Sequence, residues 1–161
     1  MGLVWSLGKA CTDYSCLAQV ECYQRAVKLD QYLAVAYFQQ GVSNFLLGDF
    51  EEALANFNDT LLYLRGNTLI DYSQLGLLFK LYSCEVLFNR GLCYIYLEQM
   101  DAGLQDLQYA VKEKVVEDHN VIDDAIRDEA KVRIPGAAVL NSPRSWLTFP
   151  CTRATPSFPS P

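Results

Sequence analysis

From Ala34 to Leu64 the chain reads AVAYFQQGVSNFLLGDFEEALANFNDTLLYL, and from Glu85 to Val111 it reads EVLFNRGLCYIYLEQMDAGLQDLQYAV. In both stretches apolar residues recur three and four positions apart, the spacing that gathers them on one stripe of a helix. Each stretch is broken once, at Gly48-Asp49 and at Gln99-Met100-Asp101, so each predicts two amphipathic helices joined by a tight turn. The two copies align without gaps: Gly41 pairs with Gly91, Leu46 with Tyr96, Leu47 with Leu97, Ala53 with Gly103, Leu54 with Leu104 and Phe57 with Leu107. Small residues at Gly41 and Ala53, or at Gly91 and Gly103, let two helices approach closely, and Phe57 and Leu107 fill the space between hairpins.

This pattern resembles the tetratricopeptide repeat. Its period is about 34 residues, whereas Gly41 and Gly91 lie 50 positions apart, so roughly 16 inserted residues separate the copies. The insertion, residues 65–80, reads RGNTLIDYSQLGLLFK: a turn at Gly66-Asn67, a strand-like run from Leu69 to Tyr72, a break at Gly76 and an apolar run from Leu77 to Leu81. A small hairpin is expected there. A third copy, Val20 to Asp30, matches only the second helix of a repeat, with Tyr23 and Ala26 at the packing positions. Residues 1–19 match nothing, so an apolar edge at Val20, Tyr23 and Val27 is expected to lie exposed. Val121, Ile122, Ala125 and Ile126 at helical spacing predict a final helix over 119–130 that covers the last hairpin. Residues 131–161, rich in Pro, Ser and Thr and without periodicity, read as a disordered tail. The expected fold is all-α: a tetratricopeptide-repeat helical hairpin array over 20–130, a right-handed superhelix incomplete at its N-terminal end, built from 20–30, 34–64, 65–80, 85–114 and 119–130.

Composition narrows the function. With 51% hydrophobic residues in 161, the chain suffices for one globular domain with its own core. Thirteen Lys and Arg face 19 Asp and Glu, for a net charge of −6, which argues against nucleic acid as a partner because phosphate neutralisation needs a clustered basic face. Cys11, Cys16, Cys22, Cys84, Cys93 and Cys151 form no Cys-x-x-Cys pair, and within apolar helical patterns they read as buried, reduced thiols of an intracellular protein. No apolar run reaches the length of a membrane span, and the first residues lack the features of a secretory signal, so a cytoplasmic chain is expected. Gly2 and Ser6 fit the loose myristoylation pattern, which would add one weak anchor.

Catalytic signatures are missing from the sequence. There is no phosphate-binding glycine loop, no nucleophile elbow and no His-Glu-x-x-His. His119, between Asp118 and Asn120, reads as a solvated connector residue. The acidic pairs Glu51-Glu52 and Asp123-Asp124 read as helix starts that complement the macrodipole. A non-enzyme is expected, with no cofactor and no metal, whose stacked hairpins present surfaces for partners.

Two segments carry a closer resemblance: DQYLAVAYFQQG from Asp30, and LRGNTLIDYSQLGLLFKLYSCEVLFNRG from Leu64. They resemble the N-terminal repeat domain of the cytosolic activator subunits of NADPH oxidases, the fungal NoxR-like regulators and the phagocyte activator among them. The resemblance spans about residues 20–130. It implies a non-catalytic adaptor that binds the GTP-bound form of a Rac-type small GTPase and, indirectly, helps activate a membrane flavocytochrome that makes superoxide. In that family the GTPase docks on the insertion and inter-repeat loops. Arg65, Asn67, Leu69 and Asp71 match binding positions in the insertion, Asp30 matches one in the preceding loop, and Tyr32 stands where the animal activators carry a histidine. The family's first repeat is absent here, and its activation segment gives way after Ile134-Pro135 to Gly136-Ala137 and then diverges, as in a truncated or misassembled reading of a longer gene.

Turn chemistry alone offers another account of the same residues: Asp71 capping a turn, Asn67 in a left-handed conformation and Arg65 covering its helix end. Other partner classes are a chaperone-linked carboxylate clamp, for which Phe38, Val42, Phe88 and Leu92 supply no donors and Asn89 alone is suggestive, and a scaffold self-associating through Val20, Tyr23 and Val27.

Overall fold

Turn chemistry at equivalent positions of the two copies sets the architecture. The computed structural model describes residues 13–76 and 79–127. In chain order the elements are α1 (Asp13–Leu29), α2 (Ala34–Leu47), α3 (Phe50–Leu64), β1 (Leu69–Asp71), a 3-10 turn (Ser73–Leu75), β2 (Lys80–Tyr82), α4 (Ser83–Tyr96), α5 (Met100–Lys112), a second 3-10 turn (Glu117–Asn120) and α6 (Val121–Arg127). The fold is mostly helical, with one small two-stranded sheet.

Helix α2 ends where Gly48 turns left-handed at φ 83°, which brings its N–H to the Phe45 carbonyl and the Asp49 N–H to the Asn44 carbonyl. Asp49 then caps α3 by accepting from the Glu52 N–H, with Glu51 and Glu52 in the positive first turn. The second copy makes the same turn with different chemistry. Glu98 takes the left-handed conformation at φ 63°, its N–H meets the Ile95 carbonyl, and the Gln99 N–H meets the Tyr94 carbonyl. A residue with a Cβ is thus held where its counterpart in the first copy is glycine.

Each hairpin closes on a residue without a Cβ. A methyl group added at Gly41 would lie 2.8 Å from a ring carbon of Phe57; one added at Gly103 would lie 2.8 Å from the Gly91 carbonyl oxygen and 2.6 Å from Ile95. In the first hairpin a ring occupies the space, and in the second backbone meets backbone. Phe57, Leu64, Leu81, Val86 and Leu107 are among the fully buried side chains. Between hairpins, Tyr96 stacks on Phe50 at 4.6 Å and meets Phe45 edge-on at 5.4 Å. Arg90 makes a two-pronged pair with Asp106, 2.6 and 2.7 Å, and also donates to Asn58 Oδ1 at 3.0 Å, so one guanidinium ties α4 to α5 and to α3.

Four sequence expectations need correction. Helix α1 includes residues 13–19, part of the stretch 1–19 that matches no repeat. Val20, Tyr23 and Val27 are half-buried, while Leu17 and Leu29 are the open apolar residues of that helix. Cys84 and Cys93 are free and buried as expected, but Cys16 and Cys22 each take part in a disulfide. His119 is buried, not solvated. The Val115 N–H donates to its Nδ1 at 3.2 Å, so the proton resides on Nε2, which faces Glu85 Oε1 at 3.2 Å; Cys84 Sγ lies 3.2 Å from Nδ1 and Tyr82 meets the ring edge-on. This cluster, with the Lys114–Asp123 ion pair and buried Ile122, fastens α6 to the last hairpin. The expected tail at 131–161, the Gly2 pattern and residues 1–12 lie outside the described residues.

Glu98→Gly is expected to stabilise the protein by about 1 kcal/mol, the cost of a left-handed L-residue partly offset by glycine's greater freedom when unfolded; urea unfolding midpoints would measure it.

Candidate functional site

Helix α2 starts without a cap of its own. Its N-cap residue is Leu33, which has no side-chain oxygen to meet the first N–H groups. The Tyr72 hydroxyl meets one instead, accepting from the Val35 N–H at 3.2 Å across 37 residues of chain. Tyr72 follows β1 and is buried together with Phe79 and Leu81, its ring 6.2 Å from that of Phe79. The inserted hairpin, with Leu69 opposite Tyr82, Ile70 opposite Leu81 and Asp71 opposite Lys80, is therefore joined through Tyr72 to the start of α2, directly after the loop Asp30–Leu33.

The C-terminal end of α3 meets the same edge. Arg65 closes the helix in the left-handed region, φ 52°, followed by Gly66 at φ 79°. Asn67 is not left-handed, contrary to the turn-chemistry account. Its backbone N–H and its side-chain Nδ2 both donate to the Leu64 carbonyl, at 2.9 and 2.8 Å, which satisfies an end of the helix. The Arg65 guanidinium lies over the Tyr32 ring, 5.7 Å from its centre. Tyr32 meets Tyr63 edge-on at 5.9 Å, Tyr63 stacks on Tyr37 at 5.0 Å, and the Tyr37 hydroxyl donates to the Gln31 carbonyl at 3.2 Å. Burial, hydrogen bonding with Tyr63 and the carboxylates of Asp59 and Asp30 push the Tyr37 phenol up to about 12, so it keeps its proton and its donor role.

Six residues singled out from sequence thus occupy connected positions. Asp30, Tyr32 and Arg65 form one contact group; Asp30 Oδ1 accepts from the Tyr32 N–H at 2.9 Å, fixing the loop. Asn67 follows directly. Leu69 and Asp71 stand on β1, both exposed. Asp71 accepts from the Ser73 N–H at 2.9 Å and faces Lys80 at 3.6 Å; the Ser73 hydrogen bonds first, and then Lys80, hold its carboxyl below the usual range. The sequence reading missed Tyr37, Tyr63 and Tyr72. A signal for the first two existed, because their counterparts in the second copy are Leu87 and Glu113, a departure from the repeat that core packing does not require.

The buried Cys84, His119 and Glu85 have the composition of a nucleophile, base and orienting acid. Burial, ahead of the Glu85 charge, pushes the Cys84 thiol up to about 12, away from the lowered range of a reactive cysteine. Among the described residues no three His, Cys, Asp or Glu converge to hold a metal, and no helix is long and apolar enough to cross a membrane.

No family model matches the chain. It is similar to human neutrophil cytosol factor 2, 38% identical over 106 residues that make up 66% of this chain and 20% of the relative, and to the bovine protein of that name, 35% identical over 71% and 22%. It is also similar to rat NADPH oxidase activator 1, 47% identical over 72 residues, 45% of this chain and 16% of the relative. The chain spans about a fifth of the length of the neutrophil factors it matches. These similarities support its place in an NADPH oxidase activator family.

Two outcomes test the edge. Tyr72→Phe keeps the ring and removes the acceptor, so it should cost about 1 kcal/mol and speed amide exchange at Val35, read by hydrogen exchange. Because folding lowers the Asp71 pKa, its contribution is present above the ordinary carboxylate value and is lost as pH falls through the lowered one; Ser73 amide protection should persist at neutral pH and disappear only in acid.

Proposed function

We propose that this chain, a relative of the NADPH oxidase activators, is a non-catalytic adaptor that binds the GTP-bound form of a Rac-type small GTPase. Through that complex it contributes to activating a superoxide-generating membrane flavocytochrome. In this reading α1 to α5 are the helices of a tetratricopeptide-repeat array with right-handed superhelical sense, and the chain is cytoplasmic until recruited to the oxidase. The repeat-to-repeat equivalence of Gly41 with Gly91 and of Gly48 with Glu98 supports the array.

The observation that carries the reading is the meeting of three separate segments at one edge: the loop Asp30–Leu33, the end of α3 at Arg65, and the hairpin bearing Leu69 and Asp71. Each has a role there. Arg65 offers a fork of donors to carbonyls or carboxylates, Leu69 offers apolar area, Asp30 and Asp71 accept from a basic edge, and Tyr32 supplies an aromatic face. Asn67, whose amide is engaged with Leu64, contributes by fixing the turn and by its remaining oxygen. A general interaction scaffold that self-associates is a second reading, favoured by Leu29, 90% exposed, and by Leu17 on the outermost described helix. The chaperone-type clamp finds no support, since Phe38, Val42, Phe88, Leu92 and Asn89 are all buried.

Titration with a Rac-type GTPase should show binding to the form loaded with a non-hydrolysable GTP analogue and little to the GDP form. Arg65→Gly suits the left-handed backbone, so its stability should stay within about 1 kcal/mol of the parent while affinity falls about tenfold. A chain that remains monomeric and binds neither nucleotide form would overturn both readings.

A further inference from the structure

Tyr32 is 59% exposed and lies in the turn between α1 and α2. Tyr109, also exposed, sits within helix α5. A modifying enzyme must draw its target side chain into a cleft, which a surface turn permits and a regular helix resists. The surroundings of Tyr32 are equally particular. Asp30 precedes it by two residues and binds its N–H, and the flexible Arg65 stem holds a guanidinium 5.7 Å from the ring centre. A cation already lying over the ring is placed to receive an anion attached to that ring's oxygen.

We propose that Tyr32 is a phosphorylation site for a tyrosine kinase, and that its phosphate captures Arg65 and releases the GTPase from this edge. The proposal rests on the adaptor reading for its consequence, though not for its chemistry. The phenolic oxygen attacks the γ-phosphorus of ATP, a new O–P bond forms as the bond to the β–γ bridging oxygen breaks, ADP leaves, and the phenolic proton passes to the kinase's base. The product brings a charge of about −1.5 to −2 and three acceptor oxygens. Arg65 pairs with them through its donor fork. That pairing removes the guanidinium from a partner's reach and adds negative charge at Tyr32 itself, so two of the proposed contact residues change together.

The test treats the full chain with a Src-type tyrosine kinase and ATP, maps the sites by mass spectrometry, and titrates the singly modified chain with the GTPase bound to a GTP analogue. Modification at Tyr32 ahead of Tyr37, Tyr63 and Tyr109, with affinity lowered about tenfold and restored by phosphatase, is the expected result. Phosphorus NMR of the modified chain supplies a readout without the GTPase: the second ionisation of the phosphate should lie lower in the parent than in Arg65→Gly. An unmodified Tyr32, or equal ionisation in the two chains, overturns the proposal. If Tyr32 is modified and the GTPase binds as before while Arg65→Gly still weakens binding, the switch is wrong and the adaptor reading stands. If the parent never distinguishes GTP from GDP forms, the adaptor reading fails, and the phosphorus titration still decides the pairing.

Discussion

A helix whose N-cap is leucine leaves backbone donors with no local acceptor, and the Tyr72 hydroxyl meets one of them from the far side of a whole hairpin. That single hydrogen bond couples three parts of the chain. It fixes the start of α2, and with it the loop Asp30–Leu33; it holds the inserted strands against the array; and through the packing of Leu81 and Phe79 it sets the approach to α4. Without the insertion, the Val35 N–H would lose this acceptor.

The aromatic run Tyr32, Tyr63 and Tyr37 works alongside this bond. Stacked and edge-on rings fix a loop at small entropic cost, because each has few rotatable bonds. The consequence is an aromatic base, Tyr63 stacked on Tyr37, beneath side chains that remain exposed, Tyr32 among them. Lower in the fold, Arg90 performs a comparable task with charge: a half-buried guanidinium paired with nearly buried Asp106 joins three helices, and its fork geometry admits one arrangement of them.

Helical hairpins were legible in the sequence because periodicity and the gapless alignment of two copies report directly on which face is buried. The break at Gly48-Asp49 and a small hairpin after α3 follow from local residue chemistry in the same way, although the second strand of the hairpin runs on to Tyr82, past the expected end of the insertion at Lys80. Contacts across long stretches of chain were not legible. His119 read as solvated because its neighbours Asp118 and Asn120 are polar, yet its partners Cys84 and Glu85 lie more than 30 residues away. Residues 13–19 of α1 were not legible as helix because the repeat pattern begins only at Val20. At the candidate edge, the six residues were named by resemblance, while the tyrosines that position them came from the structure alone.

The two hairpins solve one geometric problem in ways that do not mix. In the first, the Phe57 ring fills the space left by Gly41; in the second, Gly91 and Gly103 bring the backbones themselves together. Although their sequences align residue for residue, the halves are not interchangeable modules. A chimera that set α5 against α2 would put the smaller Leu107 where the Phe57 ring lies, and one that set α3 against α4 would bring the Ala53 methyl where only glycine fits beside the Gly91 carbonyl, so divergence of the two copies has matched each helix to its own partner.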